Sequence, residues 1–326
     1  MSVVQFLIFV LSVVVISVFT STSQAQGLPF GALSGDLMPT TFQIDSFGPS
    51  IAAERANESV TQFRGEAFIP IAQSDVDAYA VQFRGSRLTL DRDRATSAPN
   101  GMIPQDLGSI AIGPFLRHKL ESGDVLASDI LVGRSGIELG SPQTATTVTA
   151  NLFWARKMNP NEGQWIYLLS YSNSRSSLNN IPFPGFAYVK SFMNQASQGM
   201  WAAGVPFFFS MVRAQPWSFT GLITPFTAFA EAGYSVMGPF MIFTRFGWYP
   251  QGFKVNGGPD ERILYEEFRT QLGFRGPIAP WAMASIGVAY ADGRRAMWGD
   301  GLTKPTSYES RLDDELNLFL NVSGRF

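Results

Sequence analysis

The sequence predicts an all-β chain folded as an antiparallel, up-and-down transmembrane β-barrel of about fourteen strands, with twelve possible, behind an amino-terminal signal peptide. Three observations carry this. The 326 residues are 45% hydrophobic and 13% aromatic but only 15% charged, well under the roughly 25% of soluble domains. Beyond the amino terminus no apolar run is long enough to cross a bilayer as a helix, and a closed sheet is the other way to satisfy backbone amides in lipid. Finally, strand-like segments that alternate apolar and polar side chains recur between turn residues along most of the chain.

Taken in order, the chain opens with MSVVQFLIFVLSVVVISVFTSTSQAQG, an apolar stretch from Val3 to Phe19 followed by Ser23-Gln24-Ala25, a small-x-small cleavage pattern before Gln26. A basic n-region is missing, and an uncleaved anchor helix is the competing reading. Residues 1–25 are expected to be a cleaved signal peptide and 26–326 one barrel domain. The predicted strands span 38–46, 58–71, 76–90, 105–120, 124–138, 144–157, 165–174, 185–194, 200–213, 217–234, 238–249, 262–275, 281–291 and 315–326. In the second, Phe63, Gly65, Ala67, Ile69 and Ile71 share one face and Gln62, Arg64 and Glu66 the other. In the twelfth, Leu264, Phe268, Leu272 and Phe274 oppose Glu267, Arg269, Gln271 and Arg275. The repeated QFRG, at 62–65 and 82–85, reads as ordinary barrel alternation, with Phe63 and Phe83 toward lipid and Arg64 and Arg84 toward the lumen.

The last segment, LNLFLNVSGRF, alternates over eleven residues, with Phe319 alone out of phase. Leu318, Leu320, Val322 and Phe326 resemble what barrel assembly machinery reads on the final strand of its clients, with Gly324 the one departure, and are expected to serve as an assembly signal. A soluble sandwich strand is the alternative. If that strand ends in the periplasm, alternate connections should be short. Gly276–Pro280, Met237 with its neighbours, Gln195–Gly199, Asn159–Gly163, Glu121–Gly123 and Gln73–Asp75 are short, while Trp298–Asp314, Pro250–Glu261, Ser174–Gly185, Asp91–Pro104 and Phe47–Asn57 are long. Gly140–Gln143 and Ala214–Pro216 break the rule. Trp154, Trp165, Trp201 and Trp281 sit beside the short class of turn, where interfacial aromatics belong.

Chemistry is sparse. The absence of Cys excludes disulfides, thiolate metal sites and attachment of lipid through an amino-terminal Cys. A net charge of −2 gives no support to nucleic-acid binding. The sole histidine, His118, has Leu at both 116 and 120, so the His/Ser spacing of barrel lipid hydrolases is impossible on its strand, as is an Asp/His pair with one residue between. Asp91 and Asp93 are interleaved with Arg92 and Arg94 and read as a solvated loop rather than a metal site. No catalytic residue, metal or cofactor is expected. Arg64, Glu66, Arg84, Glu267, Arg269 and Arg275 are the lumen-facing candidates, which either pair into ladders that fill the barrel or line a channel.

Residues 183–253 hold few charges. Their Phe183-Pro184-Gly185 lead-in, Gly204-Val205-Pro206-Phe207, the Pro216-Trp217 turn and Phe246-Gly247-Trp248 resemble a family of predicted bacterial outer-membrane β-barrel domains of unknown function. The resemblance implies the fold and the location and carries no site residues. The expected protein is therefore a bacterial outer-membrane barrel, porin-like, forming a narrow passive pore for small polar solutes. A non-conducting structural or surface-interaction barrel is the alternative, and a lipid-modifying enzyme the least favoured. Its expected partners are outer-membrane lipid and, during biogenesis, the barrel assembly machinery.

Overall fold

The computed structural model describes residues 37–51, 58–92, 104–137, 139–140, 144–156, 163–176, 178–256, 262–299 and 308–326; the predicted signal peptide and Asp93 lie outside them. The described residues form β-strands and no helix. In chain order these are β1 (Thr41–Ser50), β2 (Glu58–Gln73), β3 (Asp77–Arg92), β4 (Asp106–Lys119), β5 (Val125–Ile137), β6 (Ala145–Ala155), β7 (Gln164–Ser172), β8 (Phe183–Met193), β9 (Gln198–Val205), β10 (Phe208–Ala214), β11 (Trp217–Thr224), β12 (Thr227–Met237), β13 (Phe240–Trp248), β14 (Gln251–Lys254), β15 (Arg262–Ala279), β16 (Ala282–Trp298), β17 (Tyr308–Arg311) and β18 (Glu315–Arg325). Successive staves pair antiparallel, and β1 closes on β18 with Thr41 opposite Arg325 and Phe47 opposite Phe319. Because β13 and β14 lie end to end along β15, and β17 and β18 along β16, the segments make a closed barrel of 16 strands.

Closure leaves no sheet edge unpaired, and side chains alternate across the wall as the pleat requires. Phe63, Phe83, Ile110, Ile130, Leu152, Phe219, Phe268, Leu272, Ile286 and Leu318 point outward and stay exposed. A belt of large apolar groups this continuous has no place in water, and it is the lipid-facing surface of an outer-membrane type barrel. At the end holding the Trp281 turn, here the lower end, rings cluster in a girdle. Trp154 stacks on Tyr167 at 5.1 Å between centroids, Tyr188 joins Trp165 at 5.2 Å and Trp201 at 5.6 Å, and Trp281 meets Phe326 at 4.7 Å. Trp217, not marked from sequence, extends the girdle through Tyr234 at 4.9 Å.

The count of about fourteen is corrected to sixteen, because two predicted strands are hairpins. Residues 200–213 turn at Pro206-Phe207 between β9 and β10, and 217–234 turn at Pro225-Phe226 between β11 and β12. Both turns are tight. The Gly204 amide donates to the Phe207 carbonyl at 3.0 Å, and the Thr224 hydroxyl caps the second turn through the Phe226 and Thr227 amides at 3.1 and 3.0 Å. Apolar Pro-Phe corners conceal these turns in a hydrophobic pattern. With both hairpins restored, Ala214–Pro216 falls on the lower end with the other short turns, while Pro206-Phe207 and Pro225-Phe226 become two short turns at the upper end.

Phe319, the residue out of phase, points inward. It occupies one inner row that runs Phe319, Gly287, Gly273 and Phe243 across β18, β16, β15 and β13. The two rings reach over the glycines and meet edge to face, 6.1 Å apart. A Cβ on Gly273 would lie 2.7 Å from the Phe319 ring, so the glycines make room for the aromatics.

The walls differ in height. β15 has 18 residues and β16 has 17, against 8 or fewer in β9, β10 and β11. The tall wall leans across the upper mouth to the opposite side: Val255 forms an antiparallel bridge with Thr144, and the Lys254 amide donates to Ser135 Oγ at 3.1 Å. Arg262 donates to the Arg175 carbonyl in the β7–β8 connection. Beneath this contact Val60, Leu88 and Leu107 of β2–β4 pack with Phe253, Ile263 and Tyr265 of β14 and β15. The upper barrel is thereby pressed into two apolar layers.

Candidate functional site

Below those layers lies a polar partition. Glu267, with no exposed surface, accepts from Gln62 Nε2 at 3.0 Å, from the Tyr265 hydroxyl at 2.7 Å and from Arg269. Gln62 Oε1 accepts in turn from Arg269 at 3.0 Å and from Gln251 at 2.8 Å. The Arg269 guanidinium carbon sits 3.7 Å from the centre of the Phe47 ring and 5.1 Å from that of Tyr249. Cation and carboxylate compensate each other's charge, as a buried pair must, and the cluster ties β2 to β15 across the strands between them.

Under the partition a cavity of about 530 Å³ opens toward the lower turns, its rim formed by Asn194–Gln198, Gln215, Gly238 and Pro239. Among the described residues five arginines line it, Arg64, Arg213, Arg245, Arg269 and Arg275, against two carboxylates, Asp45 and Glu231. Glu231 is shared. Arg245 binds it through Nε at 2.8 Å and Nη2 at 2.6 Å, and Arg275 through Nη1 at 2.9 Å and Nη2 at 3.0 Å. Asp45 accepts instead from two amides, Gln43 at 2.7 Å and Asn321 at 2.5 Å. The cavity therefore carries surplus positive charge, which low-dielectric walls concentrate rather than screen. Arg64 Nε, Arg269 Nε and the Tyr249 hydroxyl have no hydrogen-bond partner among the described residues.

All six predicted lumen candidates point into the barrel, but they do not form one site. Arg64, Arg269 and Arg275 reach the cavity, whereas Glu267 belongs to the partition above it. Glu66 and Arg84 face each other across a rung, as do Asp45 and Arg64. Sequence reasoning missed Asp45, Arg213, Glu231 and Arg245. Glu231 and Arg245 lie directly opposite on β12 and β13, a cross-strand opposite-charge pair that the predicted turn at Met237 already brings into register.

His118 is elsewhere, exposed at the lower end, where its Nδ1 is 2.7 Å from Asp77 Oδ1 on the adjacent strand. A search along one strand cannot find that partner, because the register places Asp77 opposite His118.

No protein-family model matches the chain, and no curated protein matches it. Among solved structures it is similar to an outer membrane channel from Pseudomonas putida F1, at 10% identity and a TM-score of 0.34 over 89% of this chain and 96% of that one. It is similar to a TodX mutant monoaromatic hydrocarbon channel at 10% identity and a TM-score of 0.40, over 90% of this chain and 92% of the other. LpxR from Salmonella typhimurium gives 8% and 0.39, over 89% and 100%. The fold assignment rests on the closed sheet and its lipid belt.

Proposed function

We propose that the protein is exported through its cleaved signal peptide to the bacterial outer membrane and forms a narrow passive pore for small polar solutes, with a preference for anions, in which the upper contact is the constriction. The lower end faces the periplasm in this reading, following the orientation of short turns in bacterial barrels. The observation that carries it is the water-accessible vestibule: a barrel serving only as a scaffold has no need for an open cavity with five arginines. A pore of this kind selects by the charge that lines it.

The test is conductance of the purified, folded barrel in planar bilayers under a salt gradient. Discrete openings with a reversal potential on the anion side are expected. A folded barrel that stays silent would favour the second reading, a non-conducting structural or surface-interaction barrel, whose supporting observation is the packed apolar layer at the upper mouth.

The proposed pore is non-catalytic: the imidazole of its one histidine faces outward and is held by Asp77. Lipid A and phospholipid profiles of a His118→Ala strain are expected to match the parent. A lost or altered lipid species would reinstate the lipid-modifying alternative.

A further inference from the structure

We propose that the lower cavity is a binding site for small organic carboxylates with an apolar body, anchored by Arg213 and flanked by Arg275. This deepens the pore reading and rests on it only for how such a solute would arrive.

Arg213 lines the cavity from β10 near its mouth and has no hydrogen-bond or ion-pair partner among the described residues. Arg275, a like charge, lines the same cavity. Arg275 shares Glu231 with Arg245, so one carboxylate serves two guanidiniums and leaves a positive charge uncompensated. Cations that line one cavity are stabilised by an anion bound between them, and a guanidinium binds a carboxylate with two parallel hydrogen bonds.

What lies between the two arginines determines the rest of the ligand. Ser218 is opposite Arg213 on one rung, and Met241 is opposite Arg275 on another. The Ser218 hydroxyl donates to Met241 Sδ at 3.1 Å, so the thioether bridges the floor from one guanidinium to the other. Gly233 keeps that path clear, since a Cβ there would stand 2.3 Å from the sulfur. Phe243 lies under Arg275, with 4.4 Å from guanidinium carbon to ring centre, and Met283 completes this wall. Flexible methionines adapt to varied apolar shapes. An inorganic anion would leave this floor unused, whereas an aromatic or short aliphatic acid covers it. The cavity also falls within the roughly 300–1,000 Å³ of small-molecule sites.

The experiment is calorimetric titration of the full chain in lipid nanodiscs with benzoate, acetate and benzyl alcohol, empty discs being subtracted. Benzoate is expected to bind, and both other probes to bind roughly tenfold more weakly or not at all. Arg213→Gln should weaken benzoate roughly tenfold or more, the loss of a charge-assisted hydrogen bond, while Arg213→Lys recovers part of it. Because Arg213 has no partner to lose, the Gln variant should keep wild-type heat-modifiable migration on a gel, which checks that it folds. Unchanged benzoate binding in Arg213→Gln, or acetate or benzyl alcohol equal to benzoate, overturns the site. The two readings fail separately: a silent barrel that binds benzoate removes the pore, and a conducting barrel indifferent to benzoate removes the site.

Discussion

Glu315→Ala is expected to destabilise the folded barrel by about 3–5 kcal/mol, the cost of breaking a buried ion pair by removing one partner. Arg294 and Glu315 are 0% and 1% exposed, with Nη1 and Oε2 2.6 Å apart. The same Oε2 accepts the Val60 amide at 3.2 Å, and Arg294 also donates to the Asp313 carbonyl. One carboxylate thus joins β16 and β18 to β2 beside the apolar layers of the upper barrel. Alanine would leave a guanidinium with no exposed surface and no counter-charge, and an amide without its acceptor. The double variant Arg294→Met, Glu315→Leu removes both charges and keeps comparable volume, so it should recover most of that loss and fall short of the parent by the Val60 amide that still lacks its acceptor. Urea unfolding followed by gel mobility reads both variants. A Glu315→Ala midpoint equal to wild type, or a double variant as unstable as the single, would show that the pair does not hold this corner.

The wall of the barrel was legible in the sequence, and its interior mostly was not. Alternation at Phe63, Arg64, Phe268 and Arg269 identifies faces because the pleat has a period of two and each face meets one solvent, lipid or lumen. Lengths of connections sort most turns between the two ends, because a hairpin needs few residues, but Pro206-Phe207 and Pro225-Phe226 are short turns at the upper end. Where the sequence reading failed, at Pro206-Phe207 and Pro225-Phe226, the turn residues are apolar; Phe207 itself is buried. Proline within a run was the available signal, since it cannot donate to a central ladder. The partition formed by Gln62 and Glu267 is another matter. Those residues are 205 positions apart, and their meeting depends on how strongly the barrel is flattened, which follows from the summed packing of Phe253, Tyr265 and Leu88 and not from any local pattern. Glu231 and Arg245 are intermediate: fourteen positions apart and opposite across the turn at Met237 that the sequence did show.

Joining Thr144 to Val255 by a disulfide is expected to abolish conductance under oxidising conditions, with recovery on reduction. These residues form the bridge by which the tall wall touches the far side of the upper mouth, and Cα atoms paired across an antiparallel bridge lie about 4.5–5.5 Å apart, within the range a disulfide spans. The chain contains no cysteine, so the Thr144→Cys, Val255→Cys variant has one possible intramolecular bond. In the pore proposed above, a solute moving from the vestibule to the upper side would have to pass the Gln62–Glu267–Arg269 partition and part Phe253 and its neighbours from β2–β4. Crosslinking the tip to the opposite wall stops that movement without touching the cavity, so benzoate binding in nanodiscs should stay at the wild-type level while current disappears. Each single cysteine variant should conduct as the parent does, which separates the crosslink from the substitutions. Full current through the oxidised double variant would mean that solutes pass by a route other than the upper contact, and the constriction would have to be placed elsewhere.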